Sequence, residues 1–307
     1  MRALVTGATG LIGRALLPHL LPPVAVLGRD EKRAAQLLEG VEVHQWDPEE
    51  GPAPPQAFRA ADVVFHLAGE PAAEGRWTPE KKRRIRDSRV VGTRNLVAGL
   101  AALEDRPKVL VSASAVGYYG DRGDETLDEN AAPGRGFLAE ICQGWEREAM
   151  AAAQLGMRVV CVRIGVVLSL AGGALPRMLP AFRMGAGGRL GVGTQWTPWI
   201  HIDDIVGILL HASRTEALRG PVNGVAPSPV TNAAFTAALA RAVHRPALLP
   251  VPAIALRIAF GEMSEILMAS QRVVPRLARE TGYAFRHPGL DAALLALLTP
   301  GARRDAA

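Results

Sequence analysis

The chain has 307 residues, 49% hydrophobic and 21% charged, the balance of a folded globular protein with one large core and a smaller appendage; a disordered or fibrous chain is excluded. The formal charge of +5 comes from basic residues scattered among 30 acidic ones, which argues against nucleic acid as a partner. Cys142 and Cys161 stand at no metal-ligand or disulfide-framework spacing, so no metal site is expected. The chain enters a strand at once and has no run of eighteen apolar residues free of charge, Pro or Gly, so neither a leader nor a membrane partner is expected, and a reducing, cytoplasmic setting is.

Strand-length apolar runs at Ala3 to Val5, Val24 to Leu27, Val41 to His44, Val63 to Leu67, Val109 to Ala113 and Val159 to Arg163 alternate with helical stretches such as Leu11 to Leu20 and Pro79 to Leu103. That alternation predicts an α/β fold, a Rossmann-type doubly wound parallel sheet covered on both faces. In the long helix Ile85, Val97, Leu100 and Leu103 recur near helical spacing, and Gly92 marks a place for close approach to the sheet. The basic run Lys81 to Arg84, with Arg86 and Arg89, reads either as an anion-binding patch or as an exposed helix face. Beyond Gly165 the pattern loosens into Gly/Pro-rich segments. Residues 1–165 are therefore expected to form the cofactor core, 166–301 mainly a substrate-side lobe with some elements returning to the core, and 302–307 a frayed tail. Trp196 and Trp199 beside the Gly185 to Gly193 loop suggest the wall and lid of a pocket, or core packing.

The strongest motif is Thr6-Gly7-Ala8-Thr9-Gly10-Leu11-Ile12-Gly13, directly after the first strand and opening the first helix. Gly7 makes the tight turn, Gly10 lets backbone amides reach a diphosphate, Gly13 permits close helix-on-strand packing, and the helix N-terminus supplies partial positive charge. The second strand ends Leu27-Gly28-Arg29, where an NAD enzyme offers Asp or Glu to the ribose. Gly28 cannot make that bond, while Arg29 can pair with a 2′-phosphate, so NADP(H) is favoured. Leu67-Ala68-Gly69 closes the fourth strand with small residues, leaving space for adenosine and ribose or simply making a strand-end turn.

With these motifs the chain resembles extended short-chain dehydrogenase/reductases, more narrowly their atypical, epimerase-like subgroup labelled YfcH-like. The resemblance rests also on Asp87 to Thr93, Ser112 to Gly120, Arg163 to Leu168, Thr197 to Asp204, Gly220 to Pro227 and a C-terminal segment, Gly261 to Pro275. It implies cofactor contacts at Thr9, Leu11, Ile12 and Val167 as well. The superfamily's Tyr-x-x-x-Lys pair is missing. The tyrosine position is Phe137 or Leu138, the lysine position Ile141 or Cys142, and the asparagine position carries Arg89, whose fork of donors suits a cofactor or an anionic substrate.

Ser112 and Ser114 stand where the superfamily's serine would. Tyr118, Tyr119, Glu140, or His201 with Asp203 could otherwise handle a proton. Each has a structural reading: Tyr119 as the family's loop tyrosine, Glu140 favouring a helix N-terminus, Asp203 capping a helix from Ile205 to Ala212. The reading that follows is an NADP(H)-binding epimerase or oxidoreductase-like enzyme acting on an unidentified small molecule; the alternative is a non-catalytic NADP(H) sensor.

Overall fold

The computed structural model describes residues 1–299; the predicted tail at 302–307 lies outside them. The first half runs β1 (Ala3–Thr6), α1 (Leu11–Leu16), β2 (Val24–Gly28), α2 (Glu31–Leu37), β3 (Val41–Gln45), β4 (Val63–His66), α3 (Pro79–Ala101), β5 (Val109–Ala115), β6 (Thr126–Leu127), α4 (Phe137–Met150) and β7 (Arg158–Ile164). The second continues β8 (Val166–Leu168), α5 (Ala174–Arg183), β9 (Trp196–Thr197), β10 (Trp199–His201), α6 (Ile202–Arg214), β11 (Gly220–Gly224), β12 (Val230–Thr231), α7 (Asn232–Ala242), α8 (Ala253–Phe260), α9 (Ser264–Met268), β13 (Arg272–Val273), α10 (Arg276–Glu280) and α11 (Leu290–Leu298).

Seven strands make one parallel sheet in the order β11-β7-β5-β4-β1-β2-β3. Alternate residues feed opposite faces, as the two-residue period of a strand requires. Val5, Phe65, Val111 and Val160 pack toward α6, whereas Leu4, Val64, Leu110 and Cys161 pack toward Leu96 and Leu100 of α3. Both faces are thus covered, and the strands read as nearly continuous apolar runs. The strand order reverses between β1 and β4, which opens a crevice at their carboxyl ends, the usual place for a ligand in a doubly wound sheet.

Several local expectations are corrected. The first helix stops at Leu16 and continues only as a tight turn over Leu17–His19, because Pro18 has no amide to extend the ladder. Gly92 meets not the sheet but Pro48, 3.0 Å from where a Cβ would stand. Helix α6 begins at Ile202 and is capped by the His201 ring, whose Nδ1 accepts the Asp203 amide at 3.1 Å, so Asp203 is not its cap. Past Gly165, α6 and β11 pack into the sheet core, and β8, α5, α7 and α11 build a separate apolar cluster around Leu168, Leu179, Phe235 and Leu294. Trp199 is buried in that cluster as core packing, its indole donating to Ser228 O.

Candidate functional site

The crevice between β1 and β4 is a groove with about 240 Å³ of free volume, lined by the turn from Gly7 to Gly10, by Gly28 and Arg29, and by Leu67 to Glu70. Gly7 has φ +69°, and a Cβ there would lie 2.7 Å from the Leu67 carbonyl and the Ala68 amide, so only glycine lets the turn press against the end of β4. A Cβ on Gly13 would collide with Gly7 O and Ala8, which fixes α1 against the turn. Gly10 lines the groove and is the N-cap of α1, bringing no side chain to cap it, so the first-turn amides, where Leu11 and Ile12 stand, have no side-chain acceptor; Leu11 and Ile12 themselves do not line the groove. Val167 of β8 lies behind Leu11 across Gly173.

A buried relay sets this geometry. Thr6 Oγ1 accepts the amides of Leu67 and Ala68 and lies 2.7 Å from His66 Nδ1, to which its hydroxyl therefore donates. His66 then carries its proton on Nε2 and donates to Thr93 Oγ1 at 2.9 Å. Burial pushes the imidazole pKa down to about 4, so the ring stays neutral and tethers β1, β4 and α3 beneath the groove.

Arg29 is exposed at the rim and also borders a second hollow with Trp46 and Asp47. Asp30 is spent as the α2 cap, accepting the Arg33 amide at 2.9 Å. Glu49 shares the groove, and burial, then Asp47 and Asp87, raise its carboxyl pKa. Trp46, Pro48 and Glu49 follow β3 and were not legible as lining, because no spacing rule links that loop to the glycine turn.

The basic run divides between roles. Lys81 is buried and donates to Glu70 at 2.7 Å, a bond that lowers the Glu70 pKa, whereas Arg84 lines the groove. Arg89 turns inward. Its Nη1 donates to Glu70 O and Ile85 O, its plane lies 5.0 Å from the Trp145 ring, and its guanidinium lies 3.3 Å from where a Gly69 Cβ would stand.

The residues offered for proton transfer lie apart. Ser112 is buried and bonds within its own strand. Ser114 donates to Glu146 at 2.7 Å. Glu146 grips Arg163 with two bonds of 2.8 Å, and Arg163 donates to the Tyr119 hydroxyl, which donates to Asn223 Oδ1. Burial pushes the Tyr119 pKa up to about 12. Tyr118 is half-buried with the Arg163 guanidinium 3.4 Å above its ring, and Glu140 is exposed in the first turn of α4. Leu138 and Cys142 face Gly117 just beyond β5; Phe137 and Ile141 join Trp77, Met263 and Ile266 in an apolar cluster. Sequence reasoning missed Glu146, although an arginine ending the apolar strand β7 signals a buried acid nearby.

His201, Asp203 and His287 cluster within 4.8 Å of one another; His201 Nδ1 takes the Asp203 amide, the two ring centroids lie 3.7 Å apart, and His201 Nε2 is buried without a partner among the described residues.

The family comparisons match this architecture along nearly the whole chain. The model of the NAD dependent epimerase/dehydratase family covers residues 3–223, and a domain of unknown function, DUF1731, covers 251–297. An epimerase family protein of Mycobacterium bovis is 44% identical over 94% of this chain and 95% of its own length, and the chloroplastic SDR39U1 homolog of Arabidopsis thaliana is 39% identical over 97% and 87%. The crystal structure of human epimerase family protein SDR39U1 with NADPH superposes with a TM-score of 0.86 at 35% identity, covering 97% of this chain and 99% of that one. With the glycine turn, the β1/β4 crevice and the C-terminal segment all in place, the chain belongs to the NAD dependent epimerase/dehydratase family, in its atypical extended short-chain dehydrogenase/reductase branch.

Proposed function

We propose that the protein binds NADP(H) between β1 and β4 and acts as an oxidoreductase or epimerase-like enzyme on a small molecule without a Tyr-x-x-x-Lys pair. The observation that carries this reading is the convergence of the Gly7 to Gly13 turn, the uncapped start of α1 and the exposed Arg29 guanidinium on one groove. The NADPH in the human relative supports it. Such a cofactor supplies the hydride when bound. The turn and α1 amides hold the diphosphate, Arg29 pairs with the 2′-phosphate, and Arg89 presents its remaining donors at the Gly69 end of the groove. Tyr118 handles the proton: it is partly exposed, whereas the neighbouring Tyr119 hydroxyl is engaged with Asp128 O, Asn223 and Arg163. A cytoplasmic setting and a partner other than nucleic acid belong to the same proposal, and two free, buried cysteines suit a reducing compartment.

A second reading, an NADP(H)-responsive protein without turnover, draws on the apolar cluster. There Phe137, Leu138 and Ile141 pack with Met263 and Ile266 of the C-terminal segment, so the tyrosine and lysine positions serve packing.

Calorimetry with both pyridine nucleotides tests the cofactor. Arg29→Asp should weaken NADPH about tenfold or more and NADH little, because the lost bonds are charge-assisted; equal weakening overturns the 2′-phosphate assignment. Turnover of NADPH with carbonyl compounds, quinones or nucleotide sugars that falls about a hundredfold in Tyr118→Phe supports the enzyme. Tight binding with no turnover supports the second reading, and no binding of either nucleotide overturns both.

A further inference from the structure

Helix α8, Ala-Ile-Ala-Leu-Arg-Ile-Ala-Phe, is apolar apart from Arg257, yet only Leu256 is buried. A helix of that composition is normally enclosed. Ile254 and Ile258 are each 69% exposed and stand one turn apart on one face. The segment leading into it exposes Leu248 at 84% and Leu249 at 72%. This segment is stitched to the loop after α5: Gly191 N donates to Val251 O, Val251 N to Arg189 O, and Arg245 Nε to Arg183 O. That loop adds Met184 and Val192, also largely exposed.

Positive charge predominates around this surface. Neither residues 174–202 nor residues 217–261 contain an Asp or Glu. The carboxylates that reach the region from elsewhere are engaged, Glu74 by Arg177, Glu262 by Lys82 and Asp291 by Arg241; Glu265, on α9, is exposed. Arg183, Arg189, Arg245 and Arg257 are exposed and form no salt bridge among the described residues.

We infer that this face adsorbs to an anionic lipid bilayer, with Leu248, Leu249, Ile254 and Ile258 entering the headgroup boundary and the arginines meeting lipid phosphates. Exposed aliphatic side chains interspersed with arginine are what an interfacial surface requires. A second copy of the chain fits worse. A twofold contact sets the same patch against itself, so the free arginines of both copies would face one another. The expectation from sequence that no membrane partner exists rested on the lack of a spanning run. No helix among the described residues is long and apolar enough to cross a bilayer, and adsorption needs none.

The test is cosedimentation of the full chain with phosphatidylglycerol-containing and with pure phosphatidylcholine vesicles, across a salt series. The expected result is binding to the anionic vesicles only, weakening with salt. Leu248→Glu with Ile258→Glu should abolish it, and Arg183→Gln with Arg189→Gln should lower the partition coefficient about fivefold per charge removed. All four positions are exposed, and unchanged thermal unfolding confirms that the variants fold. No vesicle binding, equal binding to neutral vesicles, or self-association that the Leu248/Ile258 variant abolishes would each overturn the inference. Binding of an acidic protein in place of vesicles would overturn it too. None of these outcomes depends on the cofactor reading.

Discussion

Glu146→Ala isolates the energetic weight of the polar network behind the groove. Burial works against the Arg163 charge, and the Glu146 bonds and charge more than offset it, so the guanidinium pKa lies above its ordinary value. Removing the carboxylate takes away two bonds of 2.8 Å and the acceptor of Ser114, and leaves a buried cation without its counter-charge. Breaking one side of a buried pair costs about 3–5 kcal/mol, which in a chain of this size lowers Tm by roughly 5–8 °C. Replacing both members, Glu146→Leu with Arg163→Met, removes the uncompensated charge and should cost clearly less than the single change, although Tyr119 and Ser114 then lose partners. Urea unfolding of the parent, Glu146→Leu, Arg163→Met and the double variant, with Glu146→Ala alongside, measures this. A Glu146→Ala cost below about 1 kcal/mol, or a double variant as unstable as the two singles added, would refute the account of a buried, mutually dependent pair.

Acid should destabilise the fold between pH 6.5 and 4. His66 is held neutral with a pKa of about 4, so in that window the unfolded chain binds a proton that the native one lacks. Stability is therefore complete above the unfolded value and falls as pH drops, by roughly 3 kcal/mol at most for this ring. His201, lowered to about 4 by burial and then by His287, acts in the same window. His66→Gln with His201→Gln should flatten denaturation midpoints measured across pH, and an unchanged slope contradicts the assignment. Gly7→Ala forces a side chain into φ +69° and onto the Leu67 carbonyl, so it should cost about 1–3 kcal/mol and remove NADPH binding, as calorimetry would show. Asp204 is fully buried and accepts the amides of Arg286 and His287 at 2.8 and 2.9 Å. Asp204→Ala should cost about 3 kcal/mol and speed hydrogen exchange over residues 283–287 before the central sheet; uniform protection refutes that anchor.

The central sheet was legible because a parallel sheet packed on both faces writes each strand as a short apolar run, and the glycine turn was legible because its spacing is dictated by contacts within eight residues. What was not legible turns on partners that no spacing rule names, most of them far apart in sequence. His201 caps α6 with a ring nitrogen, a role that residue type alone does not announce. Gly92 answers to Pro48 in a loop with no regular pattern. Glu146 and Arg163 lie on different elements, and only the cost of ending an apolar strand with an unpaired guanidinium hints that a carboxylate must come to meet it. The face around α8 is assembled from two segments some sixty residues apart, each reading alone as an ordinary loop or short core helix.

The absent lysine is bound up with Arg89. Cys142, one of the two positions a lysine would hold, is buried with its thiol pushed up to about 11, chiefly by burial, and the Arg89 guanidinium acts on it electrostatically. A second cation at that point would sit beside Arg89. Glu146, the carboxylate one turn further along the same helix, already gives both oxygens to Arg163. Restoring tyrosine and lysine is thus not a two-residue change. It would need Arg89 withdrawn from Glu70 O, Ile85 O and Trp145, and withdrawing it would leave the Gly69 end of the groove without its fixed positive charge.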